Sequence, residues 1–184
     1  MIFRKNNEHL DWPKYVNDVH YLYDERISIH KSAYISAFTN LGTDIYIGAG
    51  TLVSPRCFIG SHSVLKSNVT LQGNVTIGPE AFLGVGCLVN DKVVIPAHMR
   101  IGHHIHVLST PTCISGSRHS CYWFEPGILA IGCEQHFIEY WLYHHQEIGK
   151  GNGYSVEQSA EYYTYIRFFA ANPCRSLELL EGKV

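Results

Sequence analysis

Fourteen six-residue units run without a gap over residues 29–112, and every one begins with Ile, Leu or Val. They start at Ile29, Ile35, Leu41, Ile47, Val53, Ile59, Leu65, Leu71, Ile77, Leu83, Val89, Ile95, Ile101 and Val107. An internal repeat of fixed period sets an architecture before any local propensity is consulted. A period of six suits no α-helix. It suits a short strand, a corner and the next strand, with one large apolar side chain turned inward per unit. The second position is often Gly (Gly42, Gly48, Gly60, Gly78, Gly84, Gly102), which suits a tight corner with unusual φ. The fifth position is mostly small or β-branched, as at Ala33, Thr39, Thr51, Cys57, Ser63, Val69 and Cys87.

At 184 residues the chain makes about one domain, and 46% apolar against 16% charged residues leaves enough to build a core. The net charge of −2 gives no reason to expect nucleic acid or an anionic membrane as partner. The first residues, MIFRKNNEHLDW, lack the apolar run of a signal peptide, and no stretch approaches the length of a membrane span. With no secretory signal, the six cysteines read as reduced thiols and the protein as cytoplasmic.

Around the repeat, residues 1–28 are expected to cap the first coil, covering strand edges that would otherwise stay unpaired. Residues 111–130 read as a connection, and 113–184 as that connection followed by a helical hairpin. Phe137, Ile138, Trp141, Leu142 and Ile148 fall at helical spacing within 133–149. Ser155 with Gln158 forms a capping box ahead of a second helix, and Pro173 ends it.

The hexads over 29–112 resemble the hexapeptide-repeat proteins, whose fold is a left-handed parallel β-helix. Three hexads make one triangular coil there, so the resemblance implies four to five coils. It also implies a homotrimer that transfers an acyl group from acetyl-CoA to a small hydroxyl or amine acceptor, with the donor lying in the groove between two subunits. No metal is expected. The run Gly73-Asn74-Val75-Thr76-Ile77-Gly78, continuing Ala81-Phe82-Leu83-Gly84-Val85-Gly86, is similar to bacterial nucleotide-sugar acetyltransferases that modify amino sugars. By that likeness Gly73 offers its N–H to the thioester oxyanion. Gly84 and Gly102 are corner glycines where backbone groups can meet the pantetheine arm. Lys92 and Arg100, with Lys66, are cations suited to the donor's phosphates.

The same resemblance exposes a departure. Where those enzymes carry a general-base His and an acid ahead of Cys, this chain reads Pro55-Arg56-Cys57. A base must come from elsewhere. Residues 18 apart stack one coil above another, and the fourth-position row reads Arg26, Asp44, His62, Glu80, His98. A carboxylate beside a His fixes its tautomer and raises its basicity. The catalytic candidates are therefore His62 and His98, with Asp44 and Glu80 as their carboxylates. Two other classes compete: a non-catalytic β-helix used as a binding module or scaffold, and a metalloenzyme like the γ-class carbonic anhydrases. The latter share the fold and hold zinc between subunits. His98 and His103 have the H-x4-H spacing, but in the wrong phase of the hexad for ligands that must converge on one ion. Cys133 and His136, with His144 or His145, make a second incomplete set.

Overall fold

A computed structural model describes residues 26–36 and 38–180. Before them it gives only the backbone course of the strands Phe3–Lys5, Glu8–Leu10, Tyr15–Val16 and Val19–Leu22. The hexads form a parallel β-helix of about four turns, followed by a small sheet and two helices. Each unit contributes a two-residue strand made of its outward sixth position and the next unit's inward aliphatic. Face one stacks Asn40–Leu41, Phe58–Ile59, Thr76–Ile77 and Val94–Ile95. Face two stacks Ile27–His30, Tyr46–Ile47, Val64–Leu65, Phe82–Leu83 and Arg100–Ile101. Face three stacks Tyr34–Ile35, Leu52–Val53, Thr70–Leu71, Leu88–Val89 and Ile105–Val107. All pairs are parallel with a register of 18, so each coil is a triangle of three hexads.

The inward aliphatics fill the prism. Ile47, Ile59, Leu65, Leu71, Ile77, Leu83, Val89 and Ile95 are completely buried, each contributing about 1.5–3 kcal/mol of hydrophobic stabilisation. Fifth-position side chains form a second inward layer. Three of its polar members donate to carbonyls 15 residues on: Thr51 Oγ1 to Lys66 O at 2.9 Å, Ser63 Oγ to Gly78 O at 3.0 Å and Cys87 Sγ to Gly102 O at 2.9 Å.

The expectation about corners is corrected. The unusual φ does not fall on the second-position glycines. It falls on the fourth position, where Asp44, Arg56, His62, Asn68, Asn74, Glu80, Lys92, His98 and His104 all have φ between 56° and 62°. The glycines answer to space instead. A Cβ on Gly60 would sit 2.5 Å from Pro79 N of the next coil, and one on Gly78 2.5 Å from Ala97 N.

The stretch 111–130, read as a connection, and Phe137, read as helical, instead belong to a four-stranded antiparallel sheet of Cys113–Ser115, Ser120–Glu125, Ile128–Ile131 and Glu134–Phe137. Its two central strands hide from periodicity because both their faces are covered. Cys121, Tyr122 and Trp123 are consecutively buried, as are Leu129, Ala130 and Ile131. The first helix, α1, accordingly runs Ile138–Gly151, and α2 runs Val156–Ala171 behind the predicted Ser155–Gln158 capping box.

This C-terminal module seals the last coil. The strand Leu177–Leu179 pairs antiparallel with Ile105–Val107 on face three. On face two, Arg100 N donates to Tyr122 Oη at 3.1 Å and Gly102 N to Phe124 O at 3.2 Å. On face one, Val94 N donates to Thr110 Oγ1 at 3.0 Å. At the other end, Val19–Leu22 pairs antiparallel with Ile27–His30. The cap expected over residues 1–28 lies mostly outside the described residues.

Candidate functional site

The three edges of the prism separate the candidate residues. Asp44, His62, Glu80 and His98 lie between faces one and two, on what we term the imidazole edge. Gly73, Asn74 and Lys92 lie between faces three and one, on the Gly73 edge. Gly84 and Gly102 flank face two, and Arg100 points outward from it.

Along the imidazole edge the stacked side chains pair with one another. Arg26 grips Asp44 with two contacts, Nη2 to Oδ2 at 2.9 Å and Nε to Oδ1 at 2.8 Å. His62 Nδ1 stands 3.6 Å from Asp44 Oδ2, an electrostatic contact rather than a hydrogen bond. His98 Nδ1 reaches Glu80 Oε2 at 3.1 Å. Both imidazoles are more than half exposed, at 56% and 62% of their side-chain area. With Nδ1–H turned to the carboxylate, Nε2 is left to accept a proton.

The Gly73 edge is open. Tyr34, Ser36, Phe38, Pro55, Arg56 and Asn74 join Gly73 around a concavity of about 610 Å³. Unlike Gly60, Gly73 is not required by packing. Its φ lies outside the left-handed region, and an added Cβ would come no nearer than 3.6 Å to Pro55 O, an ordinary contact. Its carbonyl accepts from Lys92 N at 3.0 Å. Its N–H meets no acceptor among the described residues. In the same column Pro55 has no N–H to offer, and that of Asp91 donates to Gln72 Oε1 at 3.1 Å. Gly73 therefore presents a backbone donor with no acceptor among the described residues, between Arg56 below and Lys92 above.

The other cofactor candidates are placed differently. Gly84 lies under Gly102 O, 2.5 Å from where its Cβ would be, and Gly102 lies under the Glu125 carboxylate. Close approach between layers accounts for both. Arg100 lies over the Phe82 ring at 4.4 Å, and Lys66 Nζ stands 5.7 Å from the same ring and 5.8 Å from that of Tyr46. Of the three cations only Lys92 stands beside Gly73.

Two thiols, Cys57 and Cys87, and two further histidines, His103 and His106, are engaged by neighbouring coils and strands. Burial pushes the Cys57 thiol up and that of Cys87 to about 11, so neither is a thiolate nucleophile near neutrality. His98 sits on the imidazole edge while His103 and His104 sit on the edge between faces two and three. His103 Nδ1 accepts from Val85 N at 3.0 Å, and His106 bridges Asn90 and Glu178 at 2.7 Å each. Among the described residues no three His, Cys, Asp or Glu side chains come together to hold a metal ion. Sequence reasoning missed the Tyr34, Phe38 and Arg56 wall. Tyr34 occupies an outward sixth position, and Phe38 and Arg56 occupy fourth positions, where the hexad rule constrains nothing.

No protein-family model matches the chain, and no curated protein matches it. Among solved structures it is similar to a mutant of GDP-perosamine N-acetyl transferase from Caulobacter crescentus, determined in complex with CoA and GDP-perosamine. The identity is 25% and the TM-score 0.30, over 46% of this chain and 49% of that one. The chain thus spans about half the length of that enzyme. The β-helix is established by its own strand registers, independently of this likeness. No helix among the described residues is long and apolar enough to cross a membrane.

Proposed function

We propose that this chain is a CoA-dependent acyltransferase, moving an acetyl group from acetyl-CoA to a hydroxyl or amine of a small acceptor in the grooves of a homotrimer. Gly73 carries the reading: a glycine that neither φ nor packing requires, with its N–H free and a concavity beside it. A thioester carbonyl placed there gains a backbone donor as its oxygen becomes an oxyanion. Lys92 and Arg56, on either side, add positive potential where the oxyanion develops.

The acceptor attacks the thioester carbon, and its proton passes to His62 Nε2. The tetrahedral intermediate collapses with loss of the CoA thiolate, which takes that proton up. Within one chain, face one lies between His62 and Gly73, so the two can meet only across a contact between copies. In a cyclic assembly whose axis follows the prism, height is conserved from copy to copy. With a rise of about 4.8 Å per 18 residues, His62 stands about 3 Å below Gly73 and His98 about 7 Å above it. That difference favours His62, although the Glu80–His98 pair is the shorter. Asp44, held by Arg26, orients the His62 ring.

The competing reading, a non-catalytic binding module, draws on the ease with which the imidazole edge pairs with itself. Calorimetric titration with acetyl-CoA, with free CoA as control, separates the two. Saturable micromolar binding near one per subunit is expected. Absence of binding by the folded trimer overturns the acyltransferase reading.

A further inference from the structure

The Gly73 edge continues upward through Asp91 and Lys92 to Ser109 and Thr110, and there the C-terminal module builds a second concavity. Ser109, Thr110, Thr112, Phe168, Arg175 and Ser176 are on its wall, around a volume of about 330 Å³. Ser109 is two coils above Gly73 in the same column, about 10 Å away along the axis.

The walls are fixed in place. Leu108 N donates to Ser176 O at 2.8 Å, tying the segment after α2 to the last corner. The Thr110 hydroxyl accepts from Val94 N at 3.0 Å and so keeps its own proton to donate. The Asn172 N–H and Nδ2 take up the carbonyls of Phe168 and Phe169 at the end of α2, leaving fewer bare acceptors toward the cavity. Among the described residues no Asp or Glu lines it, and burial pushes the Cys174 thiol up, so that group is neutral. Arg175 has no carboxylate partner among the described residues. An exposed guanidinium with no carboxylate partner among the described residues, set among hydroxyls with the exposed Phe168 ring alongside, matches a ligand with several hydroxyls and one acidic group. The volume is at the small end of ligand sites, which run to about 300–1,000 Å³. It suits a single sugar ring and is too small for a nucleotide.

We infer that this cavity binds a small hydroxylated anion, a monosaccharide bearing one phosphate or carboxylate, held by Arg175 and the Ser109–Thr112 hydroxyls. If the acyltransferase reading holds, that anion is the acceptor or part of it, lying along the edge toward Gly73. The binding itself does not depend on that reading.

The test is calorimetry on the full chain without any acyl donor, using glucose 6-phosphate, glucuronate, glucose and inorganic phosphate. Saturable binding of at least one sugar anion, at least tenfold tighter than glucose and inorganic phosphate and weakened at least tenfold by Arg175→Ala, is expected. Which of the two binds tells phosphate from carboxylate. Should Arg175→Ala fail to fold, Arg175→Lys replaces it, keeping the charge but losing the fork, and binding should still weaken. Three results overturn the inference: no binding of either sugar anion below roughly 10 mM, equal binding of inorganic phosphate, or full affinity in the folded Arg175 variant. None of these bears on acetyl-CoA binding at Gly73, so the two readings fail separately.

Discussion

Along the imidazole edge the second positions of the first three hexads are Gly42, Gly60 and Gly78, with Pro96 after them, while along the Gly73 edge they are Ser36, Ser54, Gln72, Asn90 and Leu108. On the first edge the coils close to a distance that leaves no room for a Cβ, down to 2.5 Å at Gly60 and Gly78. On the second, side chains bridge the coils instead: Gln72 Oε1 accepts from Asp91 N at 3.1 Å, and Asn90 Nδ2 donates to Leu108 O at 3.3 Å. Charge follows the same division. Fourth positions of the imidazole edge alternate in sign and pair within the edge. Those of the Gly73 edge, Arg56, Asn74 and Lys92, include no carboxylate, and Asp91 at 3.8 Å offsets only Lys92. One backbone repeat thus carries a closed, self-compensated edge and an open, cationic one. The difference lies in positions that the core leaves free.

If the two edges cooperate across a trimer contact, breaking either should stop turnover while leaving the fold intact. The largest effect is expected at His62. His62→Ala should lower the acyl-transfer rate by roughly 10²–10⁴-fold with an unchanged melting temperature. Full activity in that variant would remove the imidazole edge from the chemistry. Next comes Gly73→Pro, which deletes the proposed oxyanion donor. Pro55 and Pro79 already occupy the same corner position in other hexads, so the backbone accepts the ring. A rate loss of roughly 10²–10³-fold is expected with acetyl-CoA affinity nearly retained. An active Gly73→Pro protein would show that the glycine is incidental.

The β-helix was legible because its cause is periodic. Ile, Leu or Val every sixth residue can face inward only if the chain turns a corner each time. The pairing of Arg26 with Asp44, and of Glu80 with His98, followed from the 18-residue register alone. The corner glycines were misread, since sequence does not separate a glycine needed for φ from one needed for space. Only the stacked neighbour, Pro79 over Gly60, reveals which. The central strands of the 113–137 sheet escaped because residues buried on both faces leave no alternation to detect. The Tyr34, Phe38 and Arg56 wall was hidden for another reason: it joins positions on which the repeat sets no rule, from three separate hexads.

Stability should divide the edges as sharply as activity. Gly60→Ala drives a Cβ into the backbone of Pro79, which can yield only by moving a coil, and should cost about 1–3 kcal/mol in chemical denaturation. Gly73→Ala, with 3.6 Å to its nearest neighbour, should cost a few tenths of that. Equal losses would mean that the edges are packed alike and that the openness beside Gly73 is not a property of the protein in solution.

The smallest effect concerns charge. Asp44→Asn removes the carboxylate that Arg26 holds by two contacts and that stands 3.6 Å from His62. Arg26 and His62 are largely exposed, so water screens the pairing, and the expected loss is about 0.2–1 kcal/mol. In a chain of this size that corresponds to a fall of roughly 0.4–4 °C in melting temperature. Salt should shrink the wild-type advantage over the variant, because screening weakens the pairing that the variant lacks. A loss well above 2 kcal/mol, insensitive to salt, would mean that the ladder and not the glycine column sets the stacking of the coils. The imidazole edge would then be a structural seam, and a base for the chemistry at Gly73 would have to be sought elsewhere.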